Sequence, residues 1–333
     1  MDDNGKGKVA DAAGKVAKAA KKAIIKTKDS VANLLDQNGD GQVDIQDIIT
    51  LAVKTPGVHV TRSSFLQKEL FKNHPQEVID DAIAHTPALA GIASEEIDKI
   101  ADQVIRFERT CVSGISAALG VPGGWAMAAT IPADIIQYYG YTLRATLKLM
   151  YLYGFPEIAT DEEGLRLDSE TINEIILCLG AMNGVAGANN AIKGMAKALA
   201  VGVEKKLLNM ALTKGAFYPF VKSVMKWFGV KLTKSVFAGF FKKAIPVVGG
   251  VVGGGITFLT FKPCCCRLKN ALQNTMLSNP KHVPTEEEDE VFESIISGKI
   301  IDADYEDVEP EAEDFSIEDI DDSPVTESCN IMD

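Results

Sequence analysis

The feature that most constrains the fold of this chain is a run of 24 residues without a charge between Arg109 and Asp134. Ordinary amphipathic helices do not continue so far without a charged residue, and the run is as long as a membrane span. Pro122, Gly123 and Gly124 interrupt it, because proline removes a helix hydrogen-bond donor and glycine weakens a helix. The run therefore predicts two helices that are joined at a sharp turn and covered by apolar surroundings.

Two more uncharged runs occupy residues 175–192 and 244–261. In the first, Gly180, Gly184 and Ala188 recur at every fourth position, a spacing that lets helix backbones approach closely. The second run contains five glycines, so we expect neighbouring elements to hold it in shape or bend it. The three runs, with the helical periodicity around them, predict an all-α multi-helix bundle built from helical hairpins.

Four polar residues lie within or beside these runs, namely Asp134, Arg109, Arg144 and Asn183. A buried polar group without a partner destabilises a fold, so we expect Asp134 to pair with Arg109 or Arg144. Such a pair is more often structural than catalytic, and the common nucleotide-binding, nucleophile-elbow and zinc-protease motifs do not occur in the sequence. The sequence favours a non-catalytic protein. The alternative is an enzyme that acts on a small apolar or lipid substrate in a cavity around Asp134.

The sharpest motif is the twelve-residue segment DQNGDGQVDIQD, at 36–47. It is similar to the calcium loop of the EF-hand family, with Gly41 at the sharp turn and oxygen ligands at Asp36, Asn38, Asp40, Gln42 (backbone carbonyl), Asp44 (through water) and Asp47. The loop ends in aspartate, as dockerin loops do, and this shorter side chain weakens discrimination against Mg²⁺. The motif predicts Ca²⁺ binding, and the alternative is an Asx-rich helix connector that binds no metal.

Charge is distributed unevenly along the chain. Residues 285–333 contain 20 acids and one lysine, so the remainder carries +7 although the whole chain carries −12. A basic body indicates an anionic partner, or self-association that the acidic tail moderates; the alternative is a tail that serves solubility.

The predicted units are a basic Ala/Lys-rich helix (1–30), an EF-hand-like module (31–57), a helical domain (60–275) and an acidic disordered tail (285–333) with a brief helix near Phe292.

Residues 190–243 combine lysines with aromatic side chains. Eleven lysines occur there against one acid, Glu204. In the segment from Pro219, Lys222 and Lys226 share one helix face, and the apolar residues share another, which is typical of an interfacial helix. This layout favours a membrane surface over nucleic acid. The alternative is that the lysines cover a bundle whose core the aromatic residues fill.

The cysteines and the start of the chain bear on its compartment. Cys264, Cys265 and Cys266 are consecutive, which is poor spacing for a disulfide framework or a zinc site, so we expect reduced thiols. We interpret the three cysteines as small apolar residues that fill space in the core. The alternative is that they are acylated beside a membrane. The first residues lack the apolar segment of a secretory signal, so we expect a cytoplasmic protein.

Several ordered blocks between residues 60 and 275 resemble the EcsC family. These blocks are HPQEVIDDAIAHTPALAGI, ASEEIDKIADQVI, GVPGGWAMAATIPADI with TLRATLKLMYLYGF, and LTKGAFYPFVKSVMKWFGVKLTKSVFAGFFKKAIPVVGGVVGGGITFLTFKP. The resemblance implies a mostly helical bacterial accessory protein that is linked to a membrane and to an ABC transport system and has no agreed biochemical activity. We therefore expect peripheral or partly embedded attachment at the cytoplasmic membrane, with anionic lipid and an ABC transport component as partners.

Overall fold

The structure is a computed structural model. It describes residues 36, 44–54, 57–120, 127–158, 167–228 and 248–297, except for the side chains of 116–120, 127–135, 248–254 and 256. Helices account for 72% of the described residues, and no strand occurs among them, which confirms the predicted all-α bundle. The helices are α1 Ile45–Val53, α2 Arg62–Leu70, α3 Gln76–Ala84, α4 Ser94–Gly120, α5 Met127–Leu152, α6 Ser169–Met182, α7 Ala188–Ala200, α8 Lys205–Thr213, α9 218–228, α10 Val248–Gln273 and α11 Glu286–Ser297.

Three long helices, α4, α5 and α10, pack against one another and form the centre of the fold. The predicted pair of helices on either side of Pro122 is present as α4 and α5. Residues 248–261 of the glycine-rich run form the first half of α10. The close packing of α10 along α4 stabilises this segment, which has a weak intrinsic helix propensity. We call α4, α5 and α10 the three-helix unit.

The second uncharged run is enclosed within the bundle. It forms α6 and the beginning of α7, and nearly all of its apolar residues are buried. A Cβ atom on Gly180 would lie 3.1 Å from the Cβ atom of Ala188, so the small residues do permit close helix contact. Gly184 serves differently, because it lies in the turn after α6 with a φ of +71°, a conformation that glycine adopts without strain.

The described part of the lysine-aromatic segment does not form an interfacial helix. In α9, Val221, Val224 and Phe228 are buried in the core, whereas Lys222 and Lys226 face solvent. The prediction of a membrane-facing apolar surface is therefore wrong for residues 218–228, because the bundle itself covers that face. The alternative, lysines that cover a bundle filled by aromatic residues, describes this segment.

The first part of the predicted acidic tail is folded onto the bundle. The brief helix predicted near Phe292 is present as α11, and it packs on α7 with Val291, Phe292 and Ile295 buried. Its apolar stripe and its ion pairs to lysines keep this acidic segment folded. The basic helix at 1–30, the helix that enters the calcium loop and the chain beyond residue 297 lie outside the described residues.

Within the described ranges, no helix is both long enough and apolar enough to span a bilayer. Cys111, Cys178, Cys264 and Cys265 are free thiols. Cys265 is fully buried in the core, as expected for a small apolar filler.

Candidate functional site

A buried carboxylate with two cations lies where α4 meets α5. Glu108 is 0% exposed, and its Oε2 accepts hydrogen bonds from Arg144 Nη2 at 2.5 Å and Nε at 2.8 Å. Lys148 Nζ donates to Glu108 Oε1 at 2.7 Å. Arg144 and Lys148 are one helical turn apart on α5, so both reach the same acid. The group carries a net charge of +1, and each cation remains about one-sixth exposed.

This arrangement corrects the predicted ion pair of Arg144. Its partner is Glu108 rather than Asp134, and its Nη1 also donates to the carbonyl oxygen of Gly57 at 3.1 Å. The register of the α4–α5 hairpin decides this, because it brings α5 residues 144 and 148 level with α4 residue 108. The side chain of Asp134 lies outside the described residues, so an enzymatic cavity around it stays a prediction.

Arg109 and Asn183, the other predicted polar residues, lie apart from this group. The Arg109 guanidinium carbon is 4.0 Å from the ring centroid of Phe258 on α10, where the cation is attracted to the aromatic face. Burial and the nearby Arg106 lower the pKa of Arg109. Asn183 ends α6, with its Nδ2 donating to the carbonyl oxygen of Leu179 at 2.8 Å. The predicted residues therefore serve separate structural roles.

A second polar network holds the first turns of α4. Asp98 accepts a hydrogen bond at Oδ1 from the hydroxyl of Tyr153, at 2.7 Å, and one at Oδ2 from Gln273 Nε2, also at 2.7 Å. Lys269 Nζ donates to Asp102 Oδ1 at 2.8 Å. Burial and the Asp98 carboxylate raise the pKa of Tyr153. We call this region, together with the Glu108 group, the polar end of the three-helix unit.

The contacts fix the directions of the three helices. Asp98 of α4 contacts Gln273 at the end of α10, whereas Arg109, further along α4, contacts Phe258 nearer the start of α10. The α10 and α4 helices are therefore antiparallel, and α5 is antiparallel to α4 as its hairpin partner. The last part of α4 thus lies beside the first parts of α5 and α10.

The charge-free stretches of the sequence meet at this place. Residues 110–120 of α4, 127–133 of α5 and 248–261 of α10 contain no charged residue; we call them the apolar end. Phe258 and Leu259 on α10 are 42% and 41% exposed. The eleven residues of α4 in this region extend about 16 Å, close to the roughly 15 Å of hydrocarbon in one leaflet of a bilayer.

The final positions of the predicted calcium loop are placed at the beginning of α1. Asp44 is the N-cap, and its Oδ1 accepts hydrogen bonds from the backbone N–H groups of Gln46 and Asp47 at 2.8 Å and 3.1 Å. Asp47 Oδ2 accepts from the Asp44 N–H at 3.0 Å and completes a capping box. These two acids hold loop positions nine and twelve at the start of the exiting helix, as an EF-hand requires.

Of the other loop residues, the structure describes only Asp36. The ligand positions Asn38, Asp40 and Gln42 lie outside the described residues. Among the residues that are described, no three or more histidine, cysteine, aspartate or glutamate side chains are grouped to hold a metal. The fit of Ca²⁺ therefore depends on the donor order in the sequence and on the helix start at Asp44.

Two acids of the described structure do not figure in the predictions from the sequence: Glu108, which is fully buried, and Glu174, which is half-buried. Glu108 lies four residues after Val104 and four before Val112, within the apolar stripe of α4; an acid at that position of a buried stripe was the available signal. Glu174 directly precedes the uncharged run at 175–192. Burial and, to a lesser extent, Asp168 together raise the pKa of Glu174 to about 7 against the opposing effect of Lys205.

Comparisons of the chain with protein-family models, with curated proteins and with solved structures found no match. The EcsC resemblance therefore stays a prediction that depends on the sequence blocks. The class that the described structure defines is an all-α bundle with a polar end and an apolar end.

Proposed function

We propose that this chain is a non-catalytic accessory protein that docks peripherally on an anionic membrane through its apolar end and binds Ca²⁺ through residues 36–47. The observation that carries the membrane proposal is the meeting of three charge-free helix segments at one end of the bundle. The EcsC resemblance adds an ABC transport component as the proposed partner at that membrane.

The physical chemistry of the apolar end supports a lipid partner. Phe258 and Leu259 expose apolar surface whose transfer from water stabilises the bound state by roughly 25 cal/mol per Å². Arg106 and Arg109 precede the charge-free segment of α4, and Lys262 follows that of α10. Basic residues near an anionic membrane surface each contribute about 1 kcal/mol to binding. An apolar tip with cations behind it matches a bilayer, in which headgroup phosphates lie outside hydrocarbon.

Lipid binding can be tested by vesicle flotation of the full chain. We expect flotation with phosphatidylglycerol-containing vesicles and much less with pure phosphatidylcholine vesicles. The double variant Phe258→Ser/Leu259→Ser should lose flotation. The matched control, Phe71→Ser/Leu89→Ser, removes two equally large side chains that are 69% and 61% exposed elsewhere, and it should float like the parent chain. Absence of flotation with either lipid, or equal loss in both variants, would refute docking through the apolar end.

Calcium binding needs its own experiment, because the loop and the apolar end are separate sites. Isothermal titration of the full chain with CaCl₂ should give a single binding isotherm. Asp40→Ala should abolish it, since Asp40 supplies an oxygen at position five. Asp80→Ala, an exposed acid on α3, is the control and should leave it unchanged. A chain that releases no heat with CaCl₂ and shows no competition between Ca²⁺ and Mg²⁺ would refute the calcium proposal and leave the lipid proposal intact.

A further inference from the structure

The beginning of the acidic C-terminal segment is already bound to a basic helix. Glu288 is 2% exposed, and its Oε1 lies 2.9 Å from Lys193 Nζ on α7. Asp289 pairs with Lys197 in the next turn. The helices touch closely at Gly194, where an added Cβ atom would overlap with Val291. Ion pairs and apolar contacts together therefore hold an acidic segment of this chain on lysines of the same chain.

The direction of α11 shows where the chain continues. Glu288 lies at Lys193, and the ring centroid of Phe292 is 4.3 Å from Lys197 Nζ. Residue numbers increase together along the two helices, so α11 and α7 run in the same direction. Since α7 leads into α8 and α11 also contacts α8, the segment after α11 leaves the described structure on the α8 side.

A second lysine-bearing surface is present on α8. Lys206 and Met210 are four residues apart and share one side of the helix, and Lys214 is the C-cap residue that follows it; all three are exposed. Leu207 lies beside Met210 and is also exposed. The opposite side of α8 is buried in the core through Leu208, Ala211 and Leu212. This surface thus combines positive charge with exposed aliphatic groups.

The start of α9 extends the surface with an aromatic side chain. Lys222 Nζ lies 4.8 Å from the ring centroid of Tyr218, which is 36% exposed. Across the described ranges, no carboxylate forms a salt bridge with Lys206, Lys214 or Lys222, in contrast to the paired lysines of α7. We call these exposed residues of α8 and α9 the second lysine face.

We propose that residues 298–333 dock on the second lysine face of the same chain. They contain fourteen acids and one lysine, so their charge is complementary to the face. Apolar residues are interleaved among the acids, as they are in α11: Tyr305, Phe315, Ile317 and Ile320. The segment of 36 residues could extend over more than 100 Å at about 3.3 Å per residue, whereas α8 is only about 13 Å long. The segment can therefore reach the whole face from the end of α11.

The docked segment neutralises lysines that would otherwise attract other anions. Because the pairs lie at the surface, salt should weaken the docking. This inference concerns the α8 side and does not depend on membrane binding by the apolar end.

Carbodiimide cross-linking of the full chain, followed by peptide mass spectrometry of the monomeric fraction, tests the docking directly. We expect amide links from Lys206, Lys214 or Lys222 to acids in 298–333, and their loss at high salt. Links from these acids spread evenly over exposed lysines, or links found only between two copies of the chain, would overturn the proposal.

A variant pair separates docking from general charge effects. Replacing Lys206, Lys214 and Lys222 by glutamine should make residues 298–333 several-fold more sensitive to a protease while the circular dichroism of the body is unchanged. The control replaces the exposed lysines Lys68, Lys72 and Lys99 by glutamine and should leave protease sensitivity as in the parent. Equal protease sensitivity in the two triple variants would contradict docking on this face.

Discussion

The three helices of the three-helix unit are held together by polar contacts at one end and contain no charged residue at the other. At the polar end, Asp98, Asp102 and Glu108 of α4 hold α5 and α10 through directed hydrogen bonds and ion pairs. At the apolar end, the same three helices continue without a charge, and Phe258 and Leu259 remain exposed. The polar end fixes register, because each buried polar group accepts only a matching partner. The apolar end is left with a surface that water does not stabilise.

This difference favours separate roles for the two ends, with the polar end stabilising the fold and the apolar end available for binding. A bundle held firmly at one end can present apolar helix tips at the other end without losing its fold. Lipid would then cover surface that an ordinary soluble bundle buries. Variants of the polar end, of the surrounding helices α6 and α7 and of the apolar end test this difference, with progressively smaller expected effects.

The strongest perturbation is Glu108→Gln at the polar end. It leaves the charges of Arg144 and Lys148 largely buried without an anion, and breaking a buried ion pair in this way costs about 3–5 kcal/mol. Urea denaturation should show this loss. The control is Glu293→Gln, an exposed acid on α11, which should change the free energy of unfolding by no more than about 0.5 kcal/mol. If the two variants are equally stable, the Glu108 group does not hold the unit together.

Glu174, a half-buried acid on α6, provides a second test of how the fold holds its acids. The pKa of Glu174 is raised to about 7 by burial and by Asp168, whereas an unfolded glutamate titrates near about 4.3. The native state therefore binds more protons than the unfolded state between these values, and stability falls as pH rises from about 4.3 to 7.

Glu174→Gln should remove that pH dependence and stabilise the chain above pH 7, by an amount on the order of 1–3 kcal/mol. Urea denaturation near pH 5 and pH 8 measures it, with Glu170→Gln at the start of the same helix as the control. A pH slope that survives Glu174→Gln would assign the slope to other groups.

The smallest expected effects come from alanine substitutions at two helix glycines, one in open space and one in close contact with a neighbouring helix. Gly114→Ala, in the open part of α4 where a Cβ atom meets nothing within 4 Å, should stabilise the chain by about 0.5–1 kcal/mol through helix propensity. Gly194→Ala, the same substitution in α7, should instead lose stability because the added methyl group overlaps with Val291. Thermal unfolding distinguishes the two. A stabilising Gly194→Ala would mean that α11 moves away at little cost.

Sequence reasoning predicted the helices better than the contacts between them. The helix pair around Pro122 follows from local backbone chemistry, because proline and glycine interrupt a helix. The partner of Arg144 depends on how α4 and α5 are rotated and aligned, which local pattern does not specify. The apolar face of α9 looks alike whether lipid or a core covers it, so only the fold could decide.

The central claim, that lipid covers the apolar end, is tested most directly by hydrogen-deuterium exchange of the full chain with phosphatidylglycerol-containing vesicles. We predict slower exchange in peptides from 110–120 and 248–261 when vesicles are added, and unchanged exchange in peptides from 94–103 and 268–273 at the polar end. Protection that is absent from the apolar end, or equal at both ends, would contradict the account.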